Sequence, residues 1–288
     1  MSQIGGFKTR QTESTYHELY SRVRAQWPAD TEDVYVRTRF GVTHAIRHGT
    51  GEPMILLPGN GGTAANWSTC ARALGERHTV IALDILGQPG LGMQHTPLRG
   101  PRDLSTWVGD VMYDLGIEGA HFCGLSYGAW VATLVAMHAP FRVRTLALAE
   151  PAGNTFGRMP LSSLPAVLRL LCDHSESGLA RFGRHVEAGW SSDPDHRRLV
   201  NFGMANYRVR LPFMRHHSDA ELRRITQPTL VLVAGASVAH NPAKVVHRAR
   251  TLLPNAKVEL IAGAPHPLPE THPEVVTDHL TNWLSAVG

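Results

Sequence analysis

The chain has 288 residues, of which 43% are hydrophobic and 18% charged, with 28 Lys and Arg against 24 Asp and Glu. That length and composition hold one large core, or a core with a small lid, and no apolar run approaches the roughly eighteen residues of a membrane span. The net charge of +4 is carried by scattered residues such as Arg142 and Arg144, Arg197-Arg198 and Arg223-Arg224. These read as solvated faces, so neither nucleic acid nor membrane is expected as a partner.

The first residues, Met-Ser-Gln-Ile-Gly-Gly-Phe, lack the apolar stretch of a secretory signal, and a cytoplasmic location is expected. Residues 14–27 predict a helix, with Tyr16, Leu19, Tyr20, Val23 and Trp27 at helical spacing and Pro28 closing it. Val34–Phe40 and Val42–His48 alternate around Gly41 and suggest a hairpin. Buried strands then alternate with amphipathic helices. Strands are expected at Met54–Leu57, Thr79–Leu83, His121–Gly124, Thr145–Ala149, Thr229–Ala234 and Val258–Ile261. Helices are expected at about 64–75, 104–115, 127–138, 242–253 and 273–286. This predicts an α/β fold, a mostly parallel sheet flanked by helices and begun by an antiparallel pair.

The alternation stops between Gly153 and His217. That stretch carries Phe156, Met159, Leu161, Leu171, Phe182, Trp190, Met204 and Phe213 without a convincing strand. It reads as a helical cap over the sheet at 154–217, with 1–153 and 218–288 forming the core. Cys70, Cys123 and Cys172 are scattered and fit reduced thiols. The 17 histidines include no His-Glu-x-x-His, and His216-His217 has no carboxylate or thiol nearby in sequence, so no metal is expected.

Gly124-Leu125-Ser126-Tyr127-Gly128 lies between an expected strand and an expected helix. A serine on such a turn projects its hydroxyl over the sheet edge, and the turn needs small residues two before and two after. Serine requires a base, and His266 follows the last strand. Loops after parallel strands open at one edge, so Ser126 and His266 converge there. Attack by Ser126 would need two N–H donors for the oxyanion. One is the backbone of Tyr127; the other comes from Gly59-Asn60-Gly61-Gly62, with Asn60 the candidate.

With Leu56-Leu57-Pro58-Gly59-Asn60-Gly61-Gly62, Ala82-Leu83-Asp84-Ile85-Leu86-Gly87-Gln88-Pro89-Gly90, Gly-Leu-Ser-Tyr-Gly, Pro228–Val233 and His266-Pro267-Leu268-Pro269, the chain resembles the α/β-hydrolase superfamily. Within it the chain is most similar to bacterial carboxylesterase-like serine hydrolases with a helical cap. The resemblance implies a Ser–acid–His triad, no cofactor and a cap that shapes substrate choice. Asp84 matches a structural position and takes no catalytic part.

The acid departs from the family pattern. Many relatives carry it after the strand here ending at Ala234, yet no Asp or Glu occurs between Glu221 and Glu259. Some members place it after the preceding strand, which here ends Ala149-Glu150-Pro151 and makes Glu150 the candidate. A histidine base without a carboxylate loses control of its tautomer. The remaining possibility is a dyad in which Asn241 or His240 orients His266.

The expected function is hydrolysis of a small, largely apolar ester or thioester through an acyl-enzyme. The alternative is a non-hydrolytic role on the same fold: a lyase, an acyltransferase, a cofactor-free oxygenase or a ligand-sensing regulator. Gly59-Asn60-Gly61-Gly62-Thr63-Ala64 also fits a dinucleotide-binding pattern, with Asp84 downstream. That reading leaves the serine turn and His266 unused.

Overall fold

Neighbouring residues in the inner strands feed two different cores. Ile55 and Leu57 join one apolar cluster, while Met54 and Leu56 join the other. The period of two in a strand requires this when both faces are covered, which is why these strands read as continuous apolar runs. The computed structural model describes residues 4–158, 160–190 and 192–287, without the side chains of Val167 and Leu171. Met1–Gln3 of the amino-terminal segment, Met159 and the Leu171 side chain therefore lie outside the described residues.

Among the described residues, nine strands form one sheet. They are β1 (Glu32–Thr38), β2 (Gly41–His48), β3 (Glu52–Leu57), β4 (His78–Leu83) and β5 (Met93–Gln94), followed by β6 (Ala120–Ser126), β7 (Val143–Pro151), β8 (Thr229–Ala234) and β9 (Ala256–Ile261). The spatial order is β1-β2-β4-β3-β6-β7-β8-β9, with β5 paired to β2. From β4 to β9 the pairing is parallel, and β2 runs antiparallel to β1, β4 and β5. The carboxyl ends of β3, β6, β7, β8 and β9 thus open on one edge. Helices Pro101–Asp114, Tyr127–His138 and Pro242–Leu252 cover one face; Arg10–Arg24, Ser68–Gly75 and Pro273–Val287 cover the other.

Several boundaries differ from expectation. The first helix runs from Arg10 to Arg24 because Thr9 caps it in a reciprocal box with Thr12. The third full helix begins at Pro101, whose missing N–H costs nothing in a first turn. The hairpin turns at Arg39-Phe40, and Gly41 opens β2 with φ 144°. A Cβ there would stand 2.1 Å from the Met93 carbonyl oxygen, so the glycine admits the two-residue β5, which the sequence reading did not contain. Residues 64–67 form a 3-10 turn ahead of the Ser68–Gly75 helix.

Between β7 and β8 the described residues form helices Gly153–Phe156, Leu164–Cys172, Glu176–Val186, Pro194–Asn206 and Asp219–Leu222. Tyr207 makes an isolated bridge to Phe7. Among the described residues no helix is long and apolar enough to cross a membrane.

A buried polar cluster ties the first helix to the sheet. His44 on β2 places Nδ1 2.9 Å from Asp84 and Nε2 2.9 Å from Asp33, while Tyr20 donates to Asp84 at 3.2 Å. Asp84 also accepts the N–H groups of Ala64 and Leu91, each at 2.8 Å, which occupies it structurally. Burial alone would lower the His44 pKa, but the charges and hydrogen bonds of Asp84 and Asp33 outweigh it and raise the value. A raised folded-state value gives stability that is complete below the free imidazole pKa of about 6.5 and is lost as pH rises through the folded value. The urea midpoint difference between the wild type and His44→Gln is therefore expected to be larger at pH 6 than at pH 9. Equal differences at the two pH values would remove charged His44 from this account.

Candidate active site

Gly124 and Gly128 fix where Ser126 stands. β6 ends at Ser126 and the Tyr127–His138 helix begins at once. A Cβ on Gly124 would come 2.5 Å from the Gly128 backbone, and one on Gly128 would come 2.1 Å from the Leu57 carbonyl oxygen. Only glycine lets strand and helix approach this closely. Ser126 takes φ 50° and ψ −110°, a conformation that strains a non-glycine residue.

His266 stands on the loop after β9. Gly235 N–H donates to the Ile261 carbonyl at 2.8 Å and Ala236 N–H to the Ala264 carbonyl at 2.9 Å, extending the β8–β9 attachment to this loop. His266 Nε2 lies 2.8 Å from Ser126 Oγ, and Nδ1 lies 3.0 Å from Glu150 Oε1. The carboxylate fixes the tautomer: Nδ1 carries the proton and donates it to Glu150, leaving Nε2 to accept from the serine.

Glu150 ends a fully buried run on β7 and is itself 0% exposed. Its φ of 48° breaks from the strand, and its Oε2 accepts the N–H of Ala234, the last residue of β8, at 2.7 Å. Burial pushes the carboxyl pKa up. Hydrogen bonds from His240 and His266, then their charges, more than reverse this and hold it at about 2. His240 Nε2 lies 2.9 Å from the same Oε1, although the ring is turned off the line of a straight hydrogen bond.

The two candidate oxyanion donors flank the serine. Tyr127 N–H is the first of its helix and has no intrahelical acceptor. Asn60 is exposed on the loop after β3, where a Cβ built on Gly59 would lie 3.5 Å from Ser126 Cβ. Gln88 holds that loop from both sides, accepting from Gly61 N–H at 2.8 Å and donating to the Gly59 carbonyl at 3.5 Å. The sequence reading quoted Gln88 within a motif but gave it no task.

Ser126, His266 and Asn60 line a cavity of about 480 Å³. Leu179, Phe182, Val186, Val200 and Met204, all from the helices between β7 and β8, supply an apolar wall. Glu270 also lines it, its carboxyl pushed up to about 7 by burial and by the charges of Glu187 and Asp193. Trp190 reaches across to donate to the Gly263 carbonyl at 3.1 Å, on the loop that carries His266. Asn241, offered as a partner of His266, and His217, of the pair set aside as metal ligands, lie elsewhere. Asn241 accepts from Lys244 N–H at 3.0 Å and caps the Pro242–Leu252 helix. His217 stacks on Trp130 and meets Thr133 at 2.9 Å, with burial lowering its pKa to about 4. Among the described residues no three His, Cys, Asp or Glu side chains gather as a metal site would require.

The sequence profile of the alpha/beta hydrolase family matches residues 54–279. The chain is 26% identical over 287 residues to an uncharacterized carboxylesterase, nap, of Bacillus subtilis, covering 94% of this chain and 92% of that one. The crystal structure of the carboxylesterase CesB (YbfK) from Bacillus subtilis superposes with a TM-score of 0.88 at 24% identity, covering 95% of this chain and 98% of that one. The naproxen esterase structure from the same organism gives 0.89 at 24% identity, covering 96% and 99%. At these identities the two structures speak for the fold.

Asn241→Ala is expected to cost about 1 kcal/mol of stability in urea unfolding, while Asn241→Ser, which keeps an acceptor, costs little. If Asn241→Ala unfolds like the wild type, the cap is not what this side chain provides.

Proposed function

The chain belongs to the α/β-hydrolase family, and from that premise we propose that it hydrolyses carboxylic esters with Ser126 as nucleophile, His266 as base and Glu150 as the acid that orients His266. The observation that carries this reading is the unbroken polar line from Ser126 Oγ through His266 to Glu150, 2.8 Å and 3.0 Å long, opening into a largely apolar cavity. The carboxylesterases similar in sequence over nearly the whole chain support the same chemistry.

In this mechanism His266 Nε2 takes the Ser126 proton as Oγ attacks the ester carbonyl. The tetrahedral oxyanion receives hydrogen bonds from the backbone N–H groups of Tyr127 and Asn60. Collapse expels the alcohol, which takes its proton from His266 and leaves an acyl-enzyme at Ser126. Water then attacks, with His266 again the base, releasing the acid and restoring the serine. Glu150 stays ionised throughout and stabilises the transient imidazolium. The helical stretch 154–217 serves as the lid. Its apolar side chains favour a small, largely apolar acyl or alcohol group, in an oxygen ester or a thioester.

A fluorophosphonate probe followed by mass mapping is expected to modify Ser126. Ser126→Ala should abolish hydrolysis of p-nitrophenyl acetate in a folded protein, and His266→Ala should fall to the same level, because nucleophile and base act as one unit. Glu150→Gln is expected to lose about a hundred- to ten-thousandfold in kcat, the scale for neutralising such an acid. Wild-type turnover in Ser126→Ala, or a silent Glu150→Gln, would break the assignment at that residue.

The lid is tested separately. Phe182→Ala enlarges the apolar wall and is expected to raise the kcat/KM ratio of a naphthyl ester over the acetate of a small alcohol. An unchanged ratio would remove this helix from substrate selection.

A further inference from the structure

Glu150 is one buried carboxylate within reach of two imidazoles, and the reaction proposed above uses only one of them. His240 is 1% exposed, and its Nε2 stands 2.9 Å from the oxygen that His266 also meets. Among the described residues neither Nδ1 nor Nε2 makes a hydrogen bond of good geometry, so the contact with Glu150 is one of distance and charge. Its loop is fixed on several sides: Ser163 donates to the Val238 carbonyl at 2.6 Å, Ala239 N–H donates to Ser237 Oγ at 3.2 Å, and Asn241 caps the helix that follows. A Cβ on Gly157 would lie 3.5 Å from His240 Cβ, so the segment after β7 closes over the ring. The near polar neighbour of this buried imidazole is the Glu150 carboxylate.

We propose that His240 is a positioning residue for ester hydrolysis: set 2.9 Å from Glu150 Oε1, it takes a share of the carboxylate's field that would otherwise fall on His266 alone. The inference rests on the serine-hydrolase reading of Ser126, His266 and Glu150. Among the described residues the charged groups acting on Glu150 are these two imidazoles, one from the loop after β8 and one from the loop after β9. His266 faces Ser126 from β6 and Glu150 from β7. Farther along its own segment lie Glu270 and His272, with Glu187 acting on Glu270 from the helical stretch.

The sign follows from the sharing. A proton on His266 is stabilised by the Glu150 charge, and an N–H dipole or positive charge at His240 offsets part of that charge. Removing the ring removes that offset.

The test is the acid limb of the pH profile of kcat/KM for p-nitrophenyl acetate, read also as the rate of fluorophosphonate labelling of Ser126, which needs no turnover. His240→Leu is expected to move the limb upward by about half a pH unit or more. His240→Gln places an amide N–H near the position of Nε2 and should return the limb most of the way. If the leucine variant does not fold, His240→Asn, whose shorter amide falls short of Oε1, takes its place against His240→Gln. A limb that stays put while activity drops, or that moves downward, overturns the proposal and leaves His240 as packing. If Ser126→Ala is dead and the limb is unmoved, this inference alone fails. If the wild type neither hydrolyses the ester nor labels at Ser126, the hydrolase reading fails and takes the inference with it.

Discussion

The contact between the Glu150 carboxylate and the His266 ring, 3.0 Å long and buried at the sheet edge, sets what its surroundings must supply. A carboxylate removed from water costs several kcal/mol unless donors replace its hydration. Here the donors are the Ala234 N–H at the end of β8 and His266 Nδ1 after β9, and the His240 imidazole after β8 stands at ion-pair distance, 2.9 Å away. None of them is near Glu150 in sequence, so the charge is stable only once β7, β8 and β9 lie side by side. The parallel sheet is therefore a condition for the ionised acid. The strain is local to the same place. Ser126 and Glu150, on adjacent strands, both take positive φ, and the β6–β7 register shifts between Leu125 and Ser126. Strain kept at two neighbouring strand ends is what a preorganised site requires of its backbone.

Much of this was legible in the sequence because the relevant signals are local. Apolar runs marked the inner strands, and Gly124 and Gly128 marked a turn that no other residue could make. The rule that parallel strands end on one edge then brought Ser126 and His266 together without any distance being known, while Glu150 was named through the family resemblance. What stayed hidden depends on side chains meeting across the fold. Gln88 grips the loop at Gly59 and Gly61 from 27 or more positions away, and nothing in Gly87-Gln88-Pro89 signals that reach. His240 and Asn241 looked interchangeable as partners of His266. The difference lies in one peptide unit: Asn241 turns to the helix N–H groups, and His240 turns inward to Glu150. Helix starts were misjudged where the cap or a first-turn proline, and not the apolar period, sets the boundary.

The cavity shows how the helical stretch and the core depend on each other. A Cβ on Gly61 would come 2.6 Å from Met204 Cγ, so the loop carrying Asn60 is itself packed against the Pro194–Asn206 helix. On the other side Trp190 holds the His266 loop through Gly263 and meets His272 in a tilted ring contact, with centroids 4.3 Å apart. The segment between β7 and β8 thus touches both the loop after β3 and the loop that carries His266, and movement of this segment would disturb the two loops together.

The empty acid position after β8 also has an electrostatic reason. A carboxylate on the loop 235–241 would face Glu150 across a distance now spanned by His240 Nε2, 2.9 Å from Oε1. Two buried carboxylates that close cannot both ionise, and one would be forced to hold a proton. With a carboxylate on β7, the end of β8 supplies the Ala234 N–H and the loop after it sets an imidazole 2.9 Å from Oε1. The loop 235–241 carries no Asp or Glu, so Glu150 has no second carboxylate from that loop beside it.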